Sequence, residues 1–299
     1  MGYTKQMIRL CRPEHSIKNL LVALPAFFLG VLFEPAVFIR AMVAFVSFTL
    51  VSSAVYILND VNDREEDSRH SVKKFRPIAS GAVAIKPACI FAAILVVAGV
   101  ALAALAHSPW WAVTVLLCYL VANIAYSVYL KTVPLIDIFI LASGFVFRIF
   151  HGGFCCGIEI TSWLFLCVFS GALYFAAGKR RSELARYGEA AGSRSVLKSY
   201  SKAFLSAHYY MFCALTILFY CLWTITRTDQ KAVGKLALTI PLLIFILARY
   251  NLLVESNKYD GDPVPVLLHD KWLLLGAAGF VAVNFVVLYF GAYLPRVTY

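Results

Sequence analysis

The sequence predicts an all-α, polytopic membrane protein with nine transmembrane helices, its N-terminus inside and its C-terminus outside. Three observations carry that expectation. The 299 residues are 61% hydrophobic and only 14% charged, with a mean hydropathy of +0.78, far from the balance of a soluble domain. Apolar runs long enough to cross a hydrocarbon core of about 30 Å recur along the whole chain. Lys and Arg are distributed unevenly among the segments between them.

The first expected span, 17–33, lacks a small-residue cleavage site and leads directly into the next, so it reads as retained rather than as a signal peptide. The second, 38–58, ends on the acidic stretch Asn59-Asp60-Val61-Asn62-Asp63-Arg64-Glu65-Glu66-Asp67. Spans 88–106, 110–130 and 134–153 follow, separated by short connections. The sixth, 161–178, ends on Lys179-Arg180-Arg181, and 204–226, 234–254 and 272–292 complete the set. The chain reads as one transmembrane domain, 1–299, with two long inner loops, 59–87 and 179–203, that concentrate its polar chemistry. Both loops follow even-numbered spans four apart, a hint of internal duplication.

With the N-terminus inside, the inner segments hold 21 Lys/Arg and the outer ones 5, Arg148 lying within a span. That bias sets the orientation and turns both long loops toward the cytoplasm. The +11 net charge reflects the same bias and an anionic inner leaflet. No basic-aromatic module for nucleic acid is present. The eight Cys and six His show neither zinc nor disulfide spacing.

If the second span continues as a helix through the acidic stretch, Asp60, Asp63 and Asp67 fall within an arc of about 60°. Asn59 borders that arc. Carboxylates gathered on one face repel each other unless a cation sits among them, and an all-oxygen set suits Mg²⁺, with Mn²⁺ also accepted. Mg²⁺ keeps several waters and is often shared with substrate phosphates. Asn59, Asp60, Asp63 and Asp67 are therefore expected metal ligands, and the three Asp catalytic groups in diphosphate chemistry at a membrane surface. A solvated acidic loop is the plain alternative.

In the second loop Lys179, Arg180 and Glu183 can share a helix face. Lys and Arg there suit an anionic phosphate, with Glu183 orienting them or joining the metal shell; an ordinary inner anchor with an ion pair is the competing reading. Lys18, Lys74, Arg76 and Lys131 are further candidates for phosphate groups. Arg148 sits deep in the fifth span, where an unpaired cation is costly. Asp137 is roughly 16 Å from it along a helix, too far to pair, and either meets substrate or caps Lys131. Tyr126 is an interface anchor or a substrate contact.

These residues carry a family resemblance. Asn59-Asp60-x-x-Asp63-x-x-x-Asp67, the Arg76-Pro77-Ile78-x-Ser80-Gly81 stretch and Tyr126-Ser127-x-x-Leu130-Lys131 resemble intramembrane transferases of the UbiA superfamily. That resemblance implies a nine-helix fold around a central cavity. Where relatives acting on aromatic rings carry a second acidic motif, this chain reads Lys179-Arg180-Arg181-Ser182-Glu183-Leu184. This is similar to the decaprenyl-phosphate phosphoribosyltransferases. Arg12-Pro13, Lys18-Asn19, the segment from Asp137 to Arg148 ending in Gly152-Gly153, and Gly261-Asp262-Pro263 with Asp270 are similar as well. Asn19 joins the substrate-binding candidates on that ground.

The resemblance implies a donor, phosphoribosyl diphosphate, and an acceptor, a long polyprenyl phosphate, within the lipid bilayer of the plasma membrane. A basic site in place of a second acidic one fits two separate anionic substrates. Prenyl transfer from a diphosphate to an aromatic acceptor is the alternative within the superfamily. A transporter would place its ionisable groups near the bilayer midplane rather than at the inner face. A homo-oligomer is compatible with the sequence, which does not fix the assembly state.

Overall fold

Pro35, in the first turn where a missing N–H costs nothing, opens the longest helix among the described residues, whose regular structure is helical throughout. The computed structural model describes residues 2–69, 72–104, 109–187, 195–227, 234–256 and 263–293; the expected features His70, His107, Gly261 and Asp262 lie outside them. The α-helices are α1 (Tyr3–Leu10), α2 (Leu24–Leu29), α3 (Pro35–Asn62), α4 (Arg64–Arg69), α5 (Ile85–Ala104), α6 (Pro109–Val128), α7 (Ile136–Cys156), α8 (Ser162–Tyr187), α9 (Lys202–Ile225), α10 (Ile240–Glu255), α11 (Pro263–His269) and α12 (Lys271–Phe290). No strand occurs among the described residues.

Among the described residues, eight helices are long and apolar enough to cross a membrane: α3, α5 to α9, α10 with its preceding 3-10 turn, and α12. The stretch expected as the first span is built differently. Pro13–Ala23 forms a 3-10 helix, and α2 then adds six residues. Proline explains both boundaries, since Pro13 and Pro25 each stand in the first turn of their element, where a helix can begin but not continue from before.

The chain divides into two compact units. The first comprises residues 1–26, 32–133 and 147–159, and the second 27–31, 134–146 and 160–299, so α7 gives one half to each. In the first unit α3 packs against α5 and α6. Phe48, Val51, Val55, Leu116 and Tyr119 form one buried cluster, and Leu10, Ala54, Ile57 and Ile78 another nearer the end of α3. Gly152 on α7 has no room for a side chain, because a Cβ there would lie 1.8 Å from the Val22 carbonyl oxygen. This close approach brings the 3-10 helix, and with it Asn19, against α7.

In the second unit the core is aromatic. Tyr174 stacks on Tyr209 with ring centroids 4.6 Å apart, and Tyr250, Phe212 and Leu247 close around them. Asp270 caps α12, its Oδ1 accepting from the Leu273 N–H at 2.8 Å while Arg249 grips both carboxylate oxygens. Hydrogen bonding from Arg249 holds the Asp270 carboxyl below its ordinary range. A lowered carboxylate contributes stability above the unfolded value near pH 4, and loses it as pH falls through the folded value. Asp270→Ala is expected to cost about 1 kcal/mol, the usual price of a lost N-cap. A melt in detergent should show it as a fall of about 2 °C, with the gap from wild type closing in acid.

Candidate active site

The acidic stretch does not run as one helix. α3 ends at Asn62, and Asp63 adopts φ −90° and ψ 7° before α4 begins. Asp is a natural breaker at this place because its side chain competes for nearby backbone donors. The new N-terminus is also favoured by Glu65, Glu66 and Asp67 in its first turn. The break alters what the three carboxylates meet. Asp63 turns to Lys131, whose Nζ lies 2.6 Å from Oδ1. Asp60 and Asp67, only 3% and 2% exposed, converge on a single nitrogen: Arg76 Nη1 donates to Asp67 Oδ2 at 2.5 Å and to Asp60 Oδ1 at 3.2 Å.

Two further cations complete this corner. Lys73 Nζ is 3.8 Å from Asp67 Oδ1. Arg12 donates to Asp60 and stands 5.3 Å over the Tyr56 ring. Arg12 has φ +48°, although a residue before proline favours extended backbone. A left-handed conformation costs a non-glycine residue about 1–2 kcal/mol, a strain consistent with a side chain placed for function. Sequence reasoning left Arg12 within a motif and assigned it no role; its partner is 48 residues away.

Local hydrogen bonds hold Arg76 in place. The Ser80 N–H donates to the Arg76 carbonyl at 2.9 Å, Val83 N–H to Pro77 at 3.0 Å, and Gly81 closes the loop at φ +76°, a conformation that favours glycine. Ile78 anchors the loop from within, at 1% exposure. Asn62 donates to the Ser127 carbonyl at 2.9 Å, tying the end of α3 to the end of α6 next to Lys131. Lys74 is exposed and lies 5.2 Å over the Phe75 ring. Asn59 and Lys18 are half-buried and Tyr126 is buried, all in this first unit.

Deeper in the same unit, Asn19 joins three groups. Its amide nitrogen donates to Thr49 at 3.0 Å and Ser52 at 3.1 Å, and its oxygen accepts from Arg148 Nε at 2.9 Å. The Arg148 guanidinium lies over two rings, 5.0 Å from Phe48 and 5.6 Å from Tyr119. The Asn19 side-chain carbonyl and the two aromatic faces disperse the Arg148 charge.

The second unit carries the basic motif. Arg180 is fully buried, with Nε 2.5 Å from Asp137 Oδ2 and Nη1 2.7 Å from Glu183 Oε2. The Tyr200 hydroxyl donates to the other Asp137 oxygen at 2.6 Å and accepts from the Leu135 N–H at 2.6 Å. Leu135 itself sits at φ +67°. Burial, reinforced by the bond to Asp137, pushes the Tyr200 phenol up, so it remains a donor. Asp137 therefore partners Arg180 and Tyr200, while Lys131 partners Asp63. Lys179 is half-buried on α8 beside Arg180. Tyr200 lay outside the sequence-based candidates, since nothing in its neighbourhood marks it.

Among the described residues, no group of three His, Cys, Asp or Glu side chains forms a ready-made metal shell. Two converging carboxylates nonetheless fit a hard divalent ion, because Mg²⁺ is commonly held by one or two carboxylates, waters and substrate phosphates. The surrounding Arg12, Lys73, Arg76 and Lys131 suit the oxygens of such phosphates. The corner thus offers the kinds of group that a metal–diphosphate pair requires.

Comparisons with known proteins bear on family and fold. The UbiA prenyltransferase family profile matches residues 19–264. The chain is 31% identical over 280 residues to a decaprenyl-phosphate phosphoribosyltransferase of Corynebacterium glutamicum, covering 92% of this chain and 84% of that one. It is 32% identical over 303 residues to the protein of the same name from Mycolicibacterium smegmatis, covering 95% and 92%. The fold is similar to that of a UbiA homolog from Archaeoglobus fulgidus bound to GPP and Mg²⁺, with a TM-score of 0.72 at 18% identity, covering 95% of this chain and 99% of that one.

Proposed function

We propose, from the premise that the chain belongs to the UbiA prenyltransferase family, that it transfers the 5-phosphoribosyl group of phosphoribosyl diphosphate to a polyprenyl phosphate. The products are polyprenyl-phosphoryl-5-phosphoribose and pyrophosphate. One observation carries the reading at the site: Asp60 and Asp67 converge on a single cationic nitrogen inside a ring of Arg and Lys. The identity to phosphoribosyltransferases along almost the whole chain supports the choice of donor and acceptor class.

Asp60 and Asp67, with Asp63 and Asn59 beside them, would hold Mg²⁺. The ion would supply positive charge to the leaving diphosphate as the C1–O bond breaks. Mn²⁺ satisfies the same donor set. Arg12, Arg76, Lys73 and Lys131 bind diphosphate oxygens, and Lys18 and Lys74 are assigned to the 5-phosphate. The acceptor phosphate is already ionised at neutral pH, so its oxygen attacks C1 without a strong general base. Attack in line with the departing group inverts C1, and alignment of the two substrates supplies much of the rate. Asn19 and Arg148, held to each other in the interior, are assigned to substrate, as are Tyr126 and Lys179. Arg180, satisfied by Asp137 and Glu183, positions the α8 motif.

The chain acts as a single domain in the plasma membrane, N-terminus in, with the acidic corner toward the cytoplasm, where phosphorylated sugars are available. The 21-to-5 distribution of Lys/Arg supports that orientation. The test is transfer of radiolabel from phosphoribosyl diphosphate into the lipid phase by purified protein in detergent. Label should appear only with polyprenyl phosphate and Mg²⁺ together. Label that appears equally after chelation of metal would overturn the metal's role, and none under any condition would return the chain to prenyl diphosphate donors.

A further inference from the structure

We propose that Arg76 is the resting occupant of the cation position in the acidic corner, and that a divalent ion enters together with a diphosphate that draws this side chain away. The inference rests on the assignment of Asp60 and Asp67 to metal and deepens it, by specifying how binding at that site is controlled.

Geometry supplies the first argument. One nitrogen, Arg76 Nη1, takes up Asp60 Oδ1 and Asp67 Oδ2 together, at 3.2 and 2.5 Å. A metal held by both carboxylates at the usual oxygen distance of about 2.1 Å needs those oxygens turned to itself. A guanidinium left in place would stand against it as a like charge. Burial sharpens the conflict, because Asp60 and Asp67 have almost no contact with solvent that could screen it.

Charge balance supplies the second. Three carboxylates, Asp60, Asp63 and Asp67, face four cationic groups, Arg12, Lys73, Arg76 and Lys131. Among these groups the cations already outnumber the carboxylates by one, so a bare divalent ion adds to an excess of positive charge. A diphosphate reverses this. It brings several negative charges and offers the planar Arg fork a two-pronged partner in exchange for the carboxylates.

The third argument is mobility. Arg76 is 29% exposed at its side chain, while its backbone is fixed by the Ser80 and Val83 hydrogen bonds and by the buried Ile78. The side chain can swing without moving the loop. Arg12 is the more constrained of the two, set over the Tyr56 ring by a left-handed turn. Arg76 is thus the exchangeable cation and Arg12 the fixed one. Metal and diphosphate then bind cooperatively, each raising affinity for the other by the same factor.

The decisive experiment measures Mn²⁺ binding to the purified full-length protein without diphosphate, by the loss of the free-ion electron paramagnetic resonance signal. Removing a positive charge beside a divalent ion is worth at least about tenfold in affinity. Arg76→Gln is therefore expected to bind Mn²⁺ at least about tenfold more tightly than wild type, and Arg76→Lys, which keeps the charge, no more tightly than wild type. Arg76→Met gives the same reading if the Gln variant fails to elute as a folded species. Equal or weaker binding in Arg76→Gln and Arg76→Met, with Asp67→Asn still abolishing it, would overturn the exchange but leave the metal site standing. Mn²⁺ binding untouched by Asp67→Asn would overturn the metal assignment and this inference with it.

Discussion

Asp60→Asn should lower transfer by about two to three orders of magnitude, the loss typical when one electrostatic element of a transition-state site is removed. On the rate scale this is roughly 3–4 kcal/mol. The carboxylate lies at the centre of the corner, accepting from Arg12 and Arg76 and 3% exposed. Asn keeps the volume and a carbonyl oxygen for those two donors, so the α3–loop contact survives while the charge is lost. The defect should fall on the bond-breaking step, visible as a reduced single-turnover rate with donor saturating. A melt close to wild type accompanies that outcome. Wild-type turnover in this variant would remove Asp60 from the chemistry and leave Asp67 and Asp63 to account for it.

Arg180→Met should have the largest effect on stability. Arg180 is fully buried and satisfied by Asp137 and Glu183 at 2.5 and 2.7 Å. Removing one partner of a buried pair leaves the other charge uncompensated and costs about 3–5 kcal/mol. Two carboxylates are left here, and Asp137 retains only Tyr200 among the partners described above. A fall in melting temperature of roughly 10 °C is expected in detergent. Asp137→Asn should be milder, because the amide still accepts from Arg180 or from Tyr200. An unchanged melt for Arg180→Met, together with weakened lipid phosphate binding, would give Arg180 the substrate role that the sequence alone suggested.

The contrast between these two residues shows which parts of the molecule are legible in sequence. Apolar runs announce membrane helices because lipid must be met by length and hydropathy alone, and α3, α5 to α10 and α12 lie close to where those runs place them. The first run is the exception: Pro13 opens a 3-10 helix ahead of it and Pro25 interrupts it, a local signal outweighed by its hydropathy. The spacing of Asp60, Asp63 and Asp67 pointed to one cluster, yet its helical extrapolation missed the break at Asp63 that sends one carboxylate to Lys131 and two to Arg76. Partners distant in sequence were out of reach. Arg12 meets Asp60 across 48 residues, Arg180 meets Asp137 across 43, and Tyr200 meets Asp137 across 63. Composition says that buried charges need partners; only the fold says which ones.

That distinction also separates the two motifs in kind. The acidic corner keeps exposed cations near it, with Lys131, Lys73 and Arg76 each a quarter to a third exposed, and so can exchange partners when an anion arrives. Arg180 has no such freedom, since both of its described carboxylate contacts are made in the interior. The sequence reading placed Arg76 and Arg180 alike among the candidate phosphate-binding cations.

The central claim is the identity of the group transferred, and the mass of the lipid product tests it most directly. Purified protein, Mg²⁺, polyprenyl phosphate and phosphoribosyl diphosphate should give a lipid heavier than the acceptor by one phosphopentosyl group, with one pyrophosphate released for each lipid converted. An acceptor recovered unchanged, with folded protein converting a prenyl diphosphate and an aromatic acceptor instead, would contradict the assignment.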